Sequence, residues 1–137
     1  MAEQLTRRRF LSALAVLTAG VGIPVRRVFA NTAPDHPAPR AGVTGEKVLT
    51  REQLAKTPAL IPLFDGIRKI PEIADGIRCN CGCTDPPELR SLLSCFEGKG
   101  MARDCIICQS QARLAIRLHK EGKNLDQIRA AIDAKFA

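Results

Sequence analysis

The sequence predicts an all-α fold, a small bundle of three to four short helices with a Cys-rich loop, and three observations predict it. Apolar residues recur at helical spacing in several segments, and nothing alternates with period two for long enough to make a strand. Helix start and stop residues bracket those segments. Aromatics make up only 4%, with no Trp and no Tyr. A chain of 137 residues is one domain's worth, so its stability must rest on aliphatic helix packing assisted by cysteine chemistry.

In chain order, residues 31–47 contain Pro34, Pro37, Pro39, Gly42 and Gly45 without apolar periodicity and read as a flexible Pro/Gly linker. His36 within it reads as a solvated linker residue. The helical domain is placed at residues 48–137. Thr50 as N-cap with Gln53 three residues on opens a short helix that Pro58 ends. Pro62 and Pro71 keep the next stretch in short pieces, whose Leu60, Ile61, Leu63, Phe64, Ile67, Ile70 and Ile73 need something larger to pack against. Asp85-Pro86-Pro87-Glu88 is a second start, with Asp as N-cap, Pro at the first helical position and Glu completing a capping box. That helix runs through Leu89, Leu92, Leu93 and Phe96 until Gly98 and Gly100 stop it. Asp104 caps the longest helix, Cys105 to about Glu121, with Gly122 as its stop. Asn124 with Gln127 repeats the capping box, and Leu125, Ile128, Ile132 and Phe136 lay one apolar stripe on a final helix.

The charge balance is 21 Lys+Arg against 14 Asp+Glu, a formal +7, which alone would suggest nucleic acid or a membrane surface. Residues 1–30 hold Arg7, Arg8, Arg9, Arg26 and Arg27 against Glu3, so the remaining 107 residues carry only +3. With no aromatic platform for bases, a nucleic-acid partner is not expected. Thr6-Arg7-Arg8-Arg9-Phe10-Leu11, a mildly apolar run to Ile23 and the small-residue site Val28-Phe29-Ala30 have the order of a signal peptide. The apolar run spans roughly 21 Å as a helix against a hydrocarbon core of ~30 Å, so no stable membrane span is expected. Residues 1–30 resemble a twin-arginine (Tat) export signal. That resemblance implies delivery to the periplasm, already folded, with the Tat translocase as partner during export.

All six cysteines fall between positions 79 and 108: Cys79, Cys81, Cys83, Cys95, Cys105 and Cys108. Gly82 has no Cβ to oppose a tight turn bringing neighbouring sulfurs round one ion. Cys105 and Cys108 stand one turn apart at the start of the longest helix, where unpaired N–H groups and the helix dipole favour the thiolate. Thiolate is both metal ligand and nucleophile, so three readings stand side by side. Up to three disulfides would staple a small exported domain, with 15 possible connectivities. Thiolates would bind Zn or, as a larger centre, Cu(I). Cys105-Ile106-Ile107-Cys108 would act as a thiol–disulfide redox pair. Met101 reads as a gap-filler rather than a soft ligand, and His119 lies about 21 Å along the helix from Cys105, too far to share an ion. Arg78, Arg90 and Arg103 flank the cysteines and can offset thiolate charge or simply be solvated. No Ser/His/Asp arrangement, phosphate loop or two-histidine motif is present, so no catalytic residue is singled out.

Arg78-Cys79-Asn80-Cys81-Gly82-Cys83, then Cys95, Cys105-Ile106-Ile107-Cys108, Leu118-His119-Lys120-Glu121-Gly122-Lys123 and Ile128-Arg129-Ala130-Ala131-Ile132-Asp133, resemble the bacterial exported proteins named for a Pro-Cys-Tyr-Cys-Gly-Cys (PCYCGC) motif. Arg78 and Asn80 stand where that family has Pro and Tyr. The resemblance covers roughly residues 70–136 and implies an exported, cysteine-rich, metal-associated protein. A shorter similarity, from Cys105-Ile-Ile-Cys108-Gln109 to Ile128, is to the helical hairpin of cytochrome c maturation thioreductase subunits and implies a cytochrome client. The expectation is a Tat-exported all-α protein whose cysteines hold Zn or Cu for storage, delivery or structure, with a periplasmic metalloprotein as possible partner. Cys79, Cys81, Cys83, Cys105 and Cys108 are the first-choice ligands and Cys95 a fifth or sixth. The alternatives are a periplasmic redox protein and a disulfide-stapled interaction domain.

Overall fold

The computed structural model describes residues 35–82 and 89–137, and among these the fold is all-α. Five helices form it: α1 (Ile61–Arg68), α2 (Pro71–Asp75), α3 (Leu92–Cys95), α4 (Ile106–Lys120) and α5 (Leu125–Phe136). The chain divides into two units, Met1–Thr32 and Ala33–Ala137, and every described residue belongs to the second. The expected signal peptide therefore lies outside the described residues. No described helix is long and apolar enough to cross a membrane.

Five helices replace the expected three or four because the prolines start helices as well as divide them. Pro62 and Pro71 each occupy the first turn of α1 and α2, where the missing N–H has no helical partner to lose. Around Thr50 the expected hydrogen bonds form, Thr50 N–H donating to Gln53 Oε1 at 2.8 Å and Gln53 N–H to Thr50 Oγ1 at 3.4 Å. Residues 51–56 nevertheless remain turns. Leu54 is the one buried side chain among them, and a single anchor gives a short helix no apolar face to stabilise it. The start expected at Asp85 lies outside the described residues. The helix that is seen begins at Leu92, capped by Ser91, whose Oγ accepts from Ser94 N–H at 3.4 Å.

α4 is the hub, packing against α1, α2, α3 and α5. Its buried Cys108, Gln111, Ala112 and Ala115 follow the i, i+3, i+4, i+7 stripe of a core-facing helix. Cys105, not Asp104, is its N-cap, and Gly122 with φ +80° turns the chain away at its end. The capping box of α5 is present as read, with Asn124 and Gln127 bonding reciprocally at 3.1 and 2.9 Å. Phe64 and Phe96 meet at the centre of the core with ring centroids 4.6 Å apart. One isolated antiparallel bridge, Val48 with Glu97, is the only extended pairing among the described residues.

The segment expected to be a flexible linker is, from residue 35 on, a strap across the bundle. His36 Nδ1 accepts from Arg78 N–H at 3.0 Å while Nε2 lies 3.1 Å from the Asp133 carboxylate, so His36 is a packed residue and not a solvated one. Pro37 O and Ala38 O accept from Arg129 and Arg90 at 2.9 and 2.7 Å. Arg40 binds the fully buried Asp75 through its backbone N–H at 2.8 Å and its guanidinium at 2.9 and 3.1 Å. Arg90 at 2.8 Å and Ser91 Oγ at 3.0 Å complete the same carboxylate. Burial works against the Asp75 charge, but the bonds from Arg40, Ser91 and Arg90 outweigh it and lower the pKa to about 2.

Candidate metal centre

Four cysteines from three chain segments converge. Cys79 and Cys81 lie on the loop after α2, Cys95 is the last residue of α3 and Cys108 lies in the first turn of α4. Their Sγ atoms all fall within 4.8 Å of one another, and Cys79, Cys95 and Cys108 are buried. The Cys79–Cys108, Cys79–Cys81 and Cys81–Cys108 separations are 3.2, 3.4 and 3.6 Å.

The loop carrying Cys79 and Cys81 is held at three successive points. Ile77 O accepts from Leu92 N–H at 2.7 Å, which closes the excursion between α2 and α3 at its base. Arg78 N–H is taken by His36, and Asn80 N–H by Gln111 Oε1 at 3.2 Å. Gly82 then turns with φ +77°, the left-handed conformation that glycine adopts without strain. On the opposite side Gly100 presses on the Cys95 carbonyl so closely that any Cβ would collide with it. These ties fix the backbone that carries the sulfurs, and the burial of Cys79, Cys95 and Cys108 in the core adds to them, which is the preorganisation a ligand set needs.

The separations are those of sulfurs in contact and not bonded to one another. A disulfide requires about 2.05 Å between sulfurs, whereas tetrahedral zinc with Zn–S bonds of ~2.3 Å places its ligands about 3.8 Å apart. The observed 3.2–3.6 Å lies a few tenths inside the second distance. Hydrogen bonding with Cys108 and then Cys95, acting against burial, lowers the Cys79 thiol to about 3. The bond to Cys79, then the bond to Cys95 and burial, push the Cys108 thiol strongly up. At Cys95 the bond with Cys108 lowers the pKa, but the bond to Cys79 and burial outweigh it and the thiol is raised. Cys79 is thus the thiol driven toward thiolate, beside Cys95 and Cys108, whose thiols are held protonated. A soft cation here would replace those protons and hold the sulfurs as thiolates. These four cysteines can hold a metal ion.

The other expected ligands are placed differently. Cys83 lies outside the described residues. Cys105, a first-choice ligand in the sequence, is partly exposed and outside the four-sulfur group, while Cys95, the reserve, is inside it. The physical reason is backbone geometry. Cys105 is the N-cap with extended φ −103° and ψ 108°, so the one-turn spacing that would align it with Cys108 does not apply. Met101 is exposed and fills no gap. Arg90 is committed to Asp75 and Ala38 rather than to the sulfurs. Missed altogether were Asn80 and Gln111, although Gln111 follows Cys108 by three residues on the same helical face. The chain matches no protein-family model, no curated protein and no solved structure.

Proposed function

We propose that the protein binds one soft metal ion through Cys79, Cys81, Cys95 and Cys108, and that it is exported to hold, store or deliver that ion. The convergence of four sulfurs within 4.8 Å, three of them buried, carries the reading. A closed set of four thiolates is the donor set of structural zinc and leaves no open position for substrate, and the same softness suits Cu(I). The twin-arginine pattern of residues 1–30 supports passage to the periplasm through the Tat translocase. Export of a folded chain would let the cysteines take their ion in the cytoplasm before meeting oxidants. The resemblance to the PCYCGC-motif proteins supports the same placement, with a periplasmic metalloprotein as recipient.

Metal analysis of the full chain purified from cytoplasm and from periplasm tests this. About one equivalent of zinc or copper per chain, with the cluster thiols unreactive until a chelator is added, is the expected result. Cys95→Ser should abolish binding and Cys105→Ser should leave it intact. Metal-free protein whose denatured form shows no reactive thiols would overturn the reading in favour of disulfides. A Cys105→Ser chain that traps apocytochrome as a mixed disulfide would overturn it in favour of redox exchange.

A further inference from the structure

Among the described residues, two buried side-chain polar atoms have no hydrogen-bond partner, Asn80 Nδ2 and Gln111 Nε2. Buried donors without acceptors are costly and rare, and the other buried polar side chains here are served. Gln109, for example, gives its amide to Ala102 O and Arg103 O at 2.9 and 3.1 Å. Both exceptions belong to residues that neighbour the cysteines along the chain. Asn80 separates Cys79 from Cys81, and Gln111 follows Cys108 by three residues on α4 and is 0% exposed.

Their orientation is fixed by the fold. Gln111 Oε1 accepts Asn80 N–H at 3.2 Å, so the amide cannot reverse without setting donor against donor, and Nε2 is left as a donor beside the cysteine loop. Neutral thiols are weak acceptors, whereas thiolates accept strongly because the bond is charge-assisted. Four thiolates round a divalent cation leave a net charge of about −2, and such a charge in a buried site needs donors. Tetrahedral zinc would ask for sulfurs about 3.8 Å apart, a few tenths beyond the observed 3.2–3.6 Å.

Resting on the metal reading above, we propose that Asn80 and Gln111 are positioning residues that donate N–H···S hydrogen bonds to the metal-loaded thiolates and set how tightly the ion is held. Their acceptor is the fully deprotonated, metal-loaded set of thiolates. Outer-shell donors of this kind typically change metal affinity by 10–100-fold.

The test uses the reduced full chain, with zinc affinity measured by chelator competition and Co(II) as a spectroscopic probe. Gln111→Glu keeps an oxygen for Asn80 N–H but exchanges the amide donor for a carboxyl group. Asn80→Ala keeps the loop backbone bond and adds no charge, so it separates the loss of a donor from a new charge near the sulfurs. Each should weaken zinc about 10–100-fold and shift the sulfur-to-cobalt charge-transfer band, with the helical circular dichroism of the apoprotein unchanged. If the two amides only pack the loop against α4, Asn80→Ala leaves both affinity and band as in the wild type. That result, or wild-type affinity and band in Gln111→Glu, would overturn the proposal while leaving the metal site standing. A wild-type chain that binds neither zinc nor cobalt would overturn the metal reading and this inference with it.

Discussion

Two buried polar centres in this molecule, at Asp75 and at the cysteines, are built on opposite plans. At Asp75 a single carboxylate receives donors from Arg40, Arg90 and Ser91, so charge and hydrogen bonds close on themselves. At the cysteines, four sulfurs crowd together with one depressed and two raised pKa values, and two amide donors beside them have no acceptor. The first is complete as protein. The second gathers four sulfurs that could hold a metal ion and two amide donors left over beside them. A satisfied polar knot is an element of the fold, whereas an unsatisfied one points to function.

The largest separation of the two comes from adding and removing metal. Zinc at a thousandfold excess over its dissociation constant should raise unfolding stability by about 4 kcal/mol, and a chelator should reverse it, as followed by thermal unfolding. Because Cys95 and Cys108 must lose raised protons to bind, zinc affinity should fall as pH falls. Asp75→Ala, by contrast, should cost about 3 kcal/mol whether metal is present or not, measured by urea unfolding. That is the low end for breaking a buried pair, because the stranded Arg40 and Arg90 are 47% and 31% exposed and reach solvent.

A smaller effect comes from acid. Asp75 is lowered from 3.8 to about 2, so its contribution is present above pH ~4 and is lost as pH falls through ~2, amounting to about 2 kcal/mol. Urea midpoints between pH 2 and 5 should show this slope, and Asp75→Asn should flatten it. The smallest effect serves as a control remote from both centres. Asn124→Ala should remove about 1 kcal/mol through loss of the α5 cap, leaving zinc stoichiometry and the acid slope unchanged.

What was legible in the sequence was what is local. The Asn124/Gln127 box, the Gly122 stop and the proline-divided helices depend on residues three or four apart, and each is found. Even a correct local signal fell short at Thr50, where the cap bonds form but no apolar face follows to hold a helix. The cysteine cluster was visible as a cluster, yet its membership was not. Cys95 belongs because α3 ends against the loop closed by Leu92 and Ile77, and Cys105 does not because its backbone is extended. His36 shows the same limit most plainly, since its partner Asp133 is 97 residues away.

That last bond makes the described chain a ring. Residue 36 meets residue 133, and Pro37 O takes a donor from Arg129, so the strap cannot seat until α5 has been synthesised. Contacts of such sequence separation form late and slow folding. His36 is also the residue that fixes Arg78, at the root of the cysteine loop. The root of the cysteine loop is therefore tied from both ends of the described chain, so the frame around the sulfurs is complete only when residues 36 and 133 are both in place.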